Sequence, residues 1–176
     1  MRAGGLVQIY TGTGKGKTTA AIGAGIRAVG QGLSVHMIQF LKGGKNFPPY
    51  GEILAIKNIP HFTVEQFGPD HFVRADEISD EDRKIVRQGL AKAQEALTDK
   101  YDIVILDEIN LLVQLGLATV DEVLELLRKR APGTEAILTG RGAPEELISY
   151  ADLVSRIDAV KHPYDRGIQA RVGIEY

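Results

Sequence analysis

The sequence predicts an α/β fold: an open, mostly parallel sheet with helices on both faces. Three observations carry that expectation. Apolar runs of strand length alternate with segments of helical period along the chain. The stretch Thr11-Gly12-Thr13-Gly14-Lys15-Gly16-Lys17-Thr18-Thr19 directly follows the first apolar run and opens a helix. Tyr101-Asp102-Ile103-Val104-Ile105-Leu106-Asp107-Glu108 contains four consecutive apolar residues, as in a parallel strand buried on both faces, and ends in two acids.

The 176 residues suit one domain, 1–176, and the 44% hydrophobic and 25% charged fractions suit a globular chain with a sizeable core. A net charge of −2 offers no basic field, so no nucleic-acid partner is expected. The absence of cysteine excludes disulfides, thiolate metal sites and cysteine nucleophiles, and fits a cytoplasmic protein. Met1–Gly5 leave no room for a signal peptide before the first strand, and no apolar run approaches the ~20 residues that span a bilayer, so no membrane partner is expected.

Leu6 to Tyr10 is the first strand. The glycine-rich turn after it aims backbone N–H groups into a small space ahead of a helix N-terminus, which makes an anion cradle. Lys17 brings a positive charge to phosphate oxygens and Thr18 a hydroxyl able to ligate Mg²⁺. The expected architecture is therefore P-loop NTPase-like. The general pattern G-x-x-x-x-G-K-[ST] places its first glycine at position 11, where this chain has Thr11; the glycine comes one place later, at Gly12.

The helix runs to about Gln31, with Ile22, Ile26 and Val29 at helical spacing and otherwise mostly Ala and Gly, which permit close approach to a sheet or a second subunit. Arg27 on this helix reads either as a solvated arginine or as a contact to phosphate or a partner subunit. Leu33 to Phe40 is the second strand, joined to the first by a right-handed crossover. Leu41 to Tyr50 is a loop at the ligand-binding edge of the sheet, where Lys42 and Lys45 read as solvated lysines or phosphate contacts. A short helix over Glu52–Asn58 precedes a third strand, His61 to Phe67. Gly68 to Arg74 is irregular; Phe67 and Phe72 read as core or as ligand-facing aromatics, and His71 is a lone histidine.

Ser79 caps a helix that runs to about Leu97, with Ile85, Val86, Leu90, Ala93 and Leu97 available to face the sheet. The strand ending at Asp107-Glu108 follows. An acid there holds Mg²⁺ opposite the loop hydroxyl in P-loop proteins. Thr119 and Glu122 form a capping box, opening a helix that buries Val120, Val123, Leu124 and Leu127. Thr134 to Leu138 is the fifth strand, followed by Thr139-Gly140-Arg141-Gly142, in which Arg141 either clamps phosphate or pairs with the strand-end acids. A short helix over Pro144–Tyr150, strands over Leu153–Val160 and Gln169–Tyr176, and a polar turn between those strands complete the chain.

Taken together, Tyr10–Thr19, Arg27-Ala28-Val29-Gly30, Gln39–Gly43, Leu106-Asp107-Glu108, Thr139–Gly142, Val160–Gly167 and Gly173-Ile174-Glu175-Tyr176 resemble the P-loop corrinoid adenosyltransferases, in family order and over nearly the whole chain. The glycine at position 12 is that family's own form of the loop. The resemblance implies that a Co(I) corrinoid attacks the 5′ carbon of ATP and that triphosphate leaves. It implies an ATP reversed relative to P-loop kinases, a homodimer and a flavoprotein reductant. The residues implied are Gly12, Thr13, Gly14, Lys15, Gly16, Lys17, Thr18 and Thr19 with Arg27 and Arg141 on the nucleotide. Thr18, Asp107 and Glu108 would serve Mg²⁺ or Mn²⁺, with Lys17, Thr18 and Glu108 central to catalysis. The chain departs from the family in its short N-terminus and its lack of Trp, which leaves Phe67 or Phe72 as the aromatics for the corrin. The competing functions are a P-loop ATPase or nucleoside kinase with Glu108 as base, and a non-enzymatic nucleotide- or corrinoid-binding module.

Overall fold

The computed structural model describes residues 4–44, 50–98 and 100–175. Six strands, β1 (Val7–Thr11), β2 (Val35–Phe40), β3 (Phe62–Phe67), β4 (Ile103–Asp107), β5 (Glu135–Thr139) and β6 (Leu153–Arg156), form one sheet in the order β3-β2-β4-β5-β1-β6. Every pairing is parallel. The helices are α1 (Lys17–Val29), α2 (Gly51–Ile56), α3 (Asp80–Leu97), α4 (Ile109–Gln114), α5 (Val120–Arg128) and α6 (Glu145–Tyr150).

Successive side chains on a strand point to opposite faces, so one buried strand feeds two cores. On β2, Val35 and Met37 join the cluster under α1 and α2, while Ile38 and Phe40 join the cluster under α3 to α6. On β4, Ile103 and Ile105 take the first side and Val104 and Leu106 the second. The continuous apolar run of β4 is thus explained by helices on both of its faces. The capping boxes at Ser79 and Thr119 both form, with Asp82 and Glu122 returning the hydrogen bond.

The first helix differs from the sequence pattern. Its buried stripe is Ala21, Gly25 and Ala28, whereas Ile26 is 48% exposed and Ile22 is half-buried. The reason is steric. A Cβ at Gly25 would lie 2.7 Å from the Phe62 ring, so the helix approaches the sheet through its smallest residues.

The C-terminal region also differs. β6 ends at Arg156 rather than Val160, and its residues are all exposed. Among the described residues no strand forms over 169–175; instead Ile174 and Glu175 donate their N–H groups to the Arg171 carbonyl in a turn, and the Glu175 carboxylate accepts from Arg171. The local i,i+4 ion pair satisfies groups that a strand would have had to pair with a neighbour. The polar turn after β6 is a single 3₁₀ turn, Pro163–Arg166, closed by Gly167. Helix α4, immediately after the strand-end acids, has no counterpart in the sequence reading. Lys45 lies outside the described residues.

Candidate functional site

The loop after β1 is shaped by glycines that no other residue replaces. Gly12 has φ 104, and a Cβ there would lie 2.3 Å from the Ile157 carbonyl oxygen. Gly14 donates its N–H to that same carbonyl. The loop is therefore seated against the chain leaving β6, which accounts for a glycine at position 12. Thr11 remains a strand residue, buried, with its hydroxyl accepting from Ala143.

Gly16, at φ 119, turns the chain into α1. Lys17 is the first helical residue and 7% exposed, its ammonium donating to the carbonyls of Gly12 at 2.9 Å and Gly14 at 2.7 Å. Burial pulls its pKa below the ordinary lysine value; Glu108 and Asp107 oppose the shift, while Arg141 and Lys42 add to it.

Across the sheet edge lies a polar row built by register. Gln66 on β3 faces Gln39 on β2, and Gln39 faces Asp107 on β4. Gln66 donates to the Gln39 carbonyl at 2.9 Å, and Gln39 donates to Asp107 Oδ2 at 3.1 Å. From β5, Thr139 donates to Asp107 Oδ1 at 2.6 Å, and Thr18 donates to the same oxygen at 2.8 Å. Lys42 Nζ stands 2.9 Å from Asp107 Oδ2. Burial opposes the Lys42 charge, but Asp107, with Glu108 and Glu52, outweighs it and holds the ammonium above the usual lysine value.

Asp107 is fully buried, with two donors on each carboxylate oxygen. Both oxygens of this expected metal ligand are thus engaged by side-chain donors. It accepts the Thr18 hydroxyl hydrogen bond and so fixes the orientation of that hydroxyl.

Glu108 is placed by strain. It has φ 63, a left-handed conformation uncommon for a non-glycine residue, and its N–H donates to the Thr139 hydroxyl at 3.0 Å. The residue sits at the N-terminus of α4, half-buried, and its carboxylate reaches the cleft. Burial and the neighbouring Asp107 raise its pKa, while Lys42, Lys17 and Arg141 pull it down.

These groups share a cleft of about 510 Å³. Its walls include Gly14, Lys15, Gly16, Lys17, Thr18, Thr19, Lys42, Tyr50, Glu108 and Arg141, together with His162 and Gly173–Glu175 from the C-terminal segment. Lys15 reaches that segment, its ammonium lying 3.0 Å from Glu175. Arg171, then Lys15, hold the Glu175 carboxyl down to about 2.

Several expected residues are elsewhere. Gly12 and Thr13 do not line the cleft: Gly12 contributes a carbonyl to Lys17, and the Thr13 hydroxyl lies at the long distance of 3.5 Å from the Ala159 N–H. Arg27 is exposed in the last turn of α1, roughly 15 Å along the helix from Lys17 at 1.5 Å per residue. It therefore makes no phosphate contact at this chain's own loop. Phe67 packs against the α3-side core, and Phe72 is 79% exposed; neither lines the cleft. Gln66 is not singled out by the sequence, and Gln39 and Thr139 stand only within the family segments with no role assigned. Each is a polar residue at or next to the C-terminal end of a strand, but its partner is fixed only by inter-strand register.

The family model "ATP:corrinoid adenosyltransferase BtuR/CobO/CobP" matches residues 3–176. The chain is 36% identical over 173 residues to the corrinoid adenosyltransferase of Escherichia coli strain K12, covering 98% of this chain and 86% of that protein. It is 35% identical to the corrinoid adenosyltransferase CobA of Salmonella typhimurium, with the same coverage. Among solved structures, the flagellar accessory protein FlaH of Methanocaldococcus jannaschii aligns with a TM-score of 0.54 at 12% identity, over 86% of this chain and 70% of that one, a likeness of fold alone. A match across nearly the whole sequence, joined to a glycine-rich loop and the strand-end Glu108 in one cleft, places this chain in the ATP:corrinoid adenosyltransferase family.

Proposed function

We propose that the protein transfers the 5′-deoxyadenosyl group of ATP to a Co(I) corrinoid. The corrinoid's electron pair forms the cobalt–carbon bond at C5′. The C5′–oxygen bond breaks, and its electron pair leaves with the triphosphate. Since the nucleophile arrives on the substrate, the protein needs no serine, cysteine or general base. Its work is to position C5′ and stabilise the departing charge.

The observation that carries this reading is the convergence of the loop, Thr18 and Glu108 on one cleft, with Lys17 at the loop. The loop amides, Lys17 and Arg141 serve the triphosphate. The donor set fits a hard divalent cation, Mg²⁺ or Mn²⁺: the Thr18 hydroxyl oxygen and the Glu108 carboxylate would hold it, with Asp107 orienting Thr18. Bound there, the cation would neutralise polyphosphate charge.

A flavoprotein reductant that generates Co(I), a cytoplasmic location and a homodimer complete the reading. No helix among the described residues is long and apolar enough to cross a membrane. Support for the dimer comes from the exposed apolar residues Val160, Tyr164, Val172 and Ile174 and from the exposed strand β6.

The test is anaerobic incubation with Mg-ATP and chemically reduced cobalamin. A light-sensitive alkylcobalt product with stoichiometric triphosphate is expected. ADP or orthophosphate without cobalt alkylation would move the assignment to an ATPase or kinase, and binding without turnover to a non-catalytic module.

A further inference from the structure

Among the described residues, four cations line the cleft, Lys15, Lys17, Lys42 and Arg141, together with the carboxylates of Glu52, Glu108 and Glu175. Lys42 is the one set by the exit of β2 rather than by the phosphate loop or the β5 exit. Its backbone is held by close packing. Leu41 turns the chain at φ 59, and a Cβ at Gly68 would lie 2.2 Å from the Lys42 nitrogen and 2.5 Å from its carbonyl oxygen. The side chain is 17% exposed, with Nζ 2.9 Å from Asp107 Oδ2, 3.5 Å from Thr18 Oγ1 and 5.6 Å from the centre of the Tyr50 ring.

An ammonium carries three N–H donors. Asp107 takes one, and the Thr18 hydroxyl stands at the limit of a hydrogen bond. Asp107 already accepts from Thr18, Thr139 and Gln39. Lys42 is the counter-charge of the buried Asp107 carboxylate, and that pairing uses one of its three N–H donors. Lys42 adds positive charge and spare donors to the cleft wall, across the sheet edge from the loop.

We infer that Lys42 is a further substrate-binding residue of this protein, whose ammonium, preset against Asp107, bonds the polyphosphate of the nucleotide from the β2 side of the cleft. The inference rests on the reading that the cleft holds a triphosphate. Charge from two sides favours a tri- over a monophosphate and cradles the leaving group as its charge develops.

Inorganic tripolyphosphate with Mg²⁺ is titrated calorimetrically, at two ionic strengths, into the wild-type protein, Lys42→Gln and Lys42→Arg. Glutamine keeps an N–H donor for Asp107 and removes the charge. Loss of one charge-assisted contact should weaken Lys42→Gln by about 10- to 100-fold and flatten its salt dependence, whereas Lys42→Arg retains most of the affinity. Equal affinity in Lys42→Gln, or weakening with an unchanged salt dependence, overturns the inference. Should that variant fail to fold, acetylation of wild-type protein read by mass spectrometry decides: tripolyphosphate is expected to slow labelling of Lys42, and an unchanged rate refutes the contact. Wild-type protein that fails to bind tripolyphosphate removes the triphosphate reading and Lys42 with it, an outcome distinct from wild-type binding that Lys42→Gln shares.

Discussion

Thr139→Val probes the way the sheet edge holds its two acids. The wild-type hydroxyl donates to Asp107 Oδ1 at 2.6 Å and accepts from the Glu108 N–H at 3.0 Å, in a fully buried side chain. Valine has nearly the same shape, so the perturbation is the loss of both hydrogen bonds with little cavity. A buried polar group left unsatisfied costs about 1–3 kcal/mol. Asp107 keeps three other donors and the Glu108 N–H loses its acceptor, so the net should fall near the lower part of the combined range, about 2–3 kcal/mol. At roughly 2–4 °C per kcal/mol for a chain of this size, the midpoint should drop by about 4–12 °C. The same contact anchors Glu108 in its left-handed conformation, and losing an orienting partner typically costs about 10- to 100-fold in activity. Stability is read by thermal melts followed by circular dichroism, and activity by alkylcobalt formation at saturating ATP. Thr139→Ser, which keeps the hydroxyl, should sit near wild type on both. A Thr139→Val protein within about 0.5 kcal/mol and twofold of wild type would refute the positioning role.

Lys17→Ala should lose most adenosyl transfer while its circular dichroism spectrum and cooperative melt survive; near-normal turnover would remove Lys17 from the polyphosphate site. Gly25→Ala, forced against the buried Phe62 ring at 2.7 Å, should destabilise by about 1–3 kcal/mol, whereas Gly23→Ala, with nothing near its Cβ, should stabilise by up to about 1 kcal/mol; thermal melts of the pair test the packing of α1. Burial holds the His36 pKa below its ordinary 6.5, against the pull of Glu65 and with help from Lys100 and Lys92. As pH falls below 6.5 the unfolded chain takes up the proton first, so His36 contributes stability above 6.5 that is lost as pH drops toward its folded value. Urea midpoints compared at pH 7.5 and 5.5 should show a smaller fall in His36→Phe, which keeps the stacking on Tyr101, than in wild type.

Local chemistry made much of this protein legible in one dimension. The apolar run Ile103–Leu106 announced a strand covered on both faces, and the covering helices are there. Ser79 and Thr119 announced helix starts because a cap is a contact between residues three apart. The phosphate loop was legible for the same reason, since its glycines and Lys17 act within a few residues of one another.

What the sequence left open depends on elements brought together from far apart. Ile26 gave way to Gly25 as the core-facing residue because the sheet's distance from α1, not hydrophobicity, chose the stripe. The C-terminal residues 169–175 alternate as a strand would, but the Arg171–Glu175 pair closed a turn instead. Phe67 and Arg27 carried the right chemistry for ligand contact and were placed away from the cleft by their elements.

By itself, then, the sequence determined an α/β chain with a glycine-rich strand-to-helix loop and acids at a strand end, because each signal is local. The tertiary structure alone decided where those acids sit relative to the cleft. Strand register sets Gln39 and Gln66 in line with Asp107, while Thr139, Thr18 and Lys42 complete its donors, so Asp107 is filled and Glu108 turns to the cleft. Two adjacent carboxylates of similar chemistry acquire different surroundings because one is enclosed by four donors and the other is turned toward the cleft by its backbone.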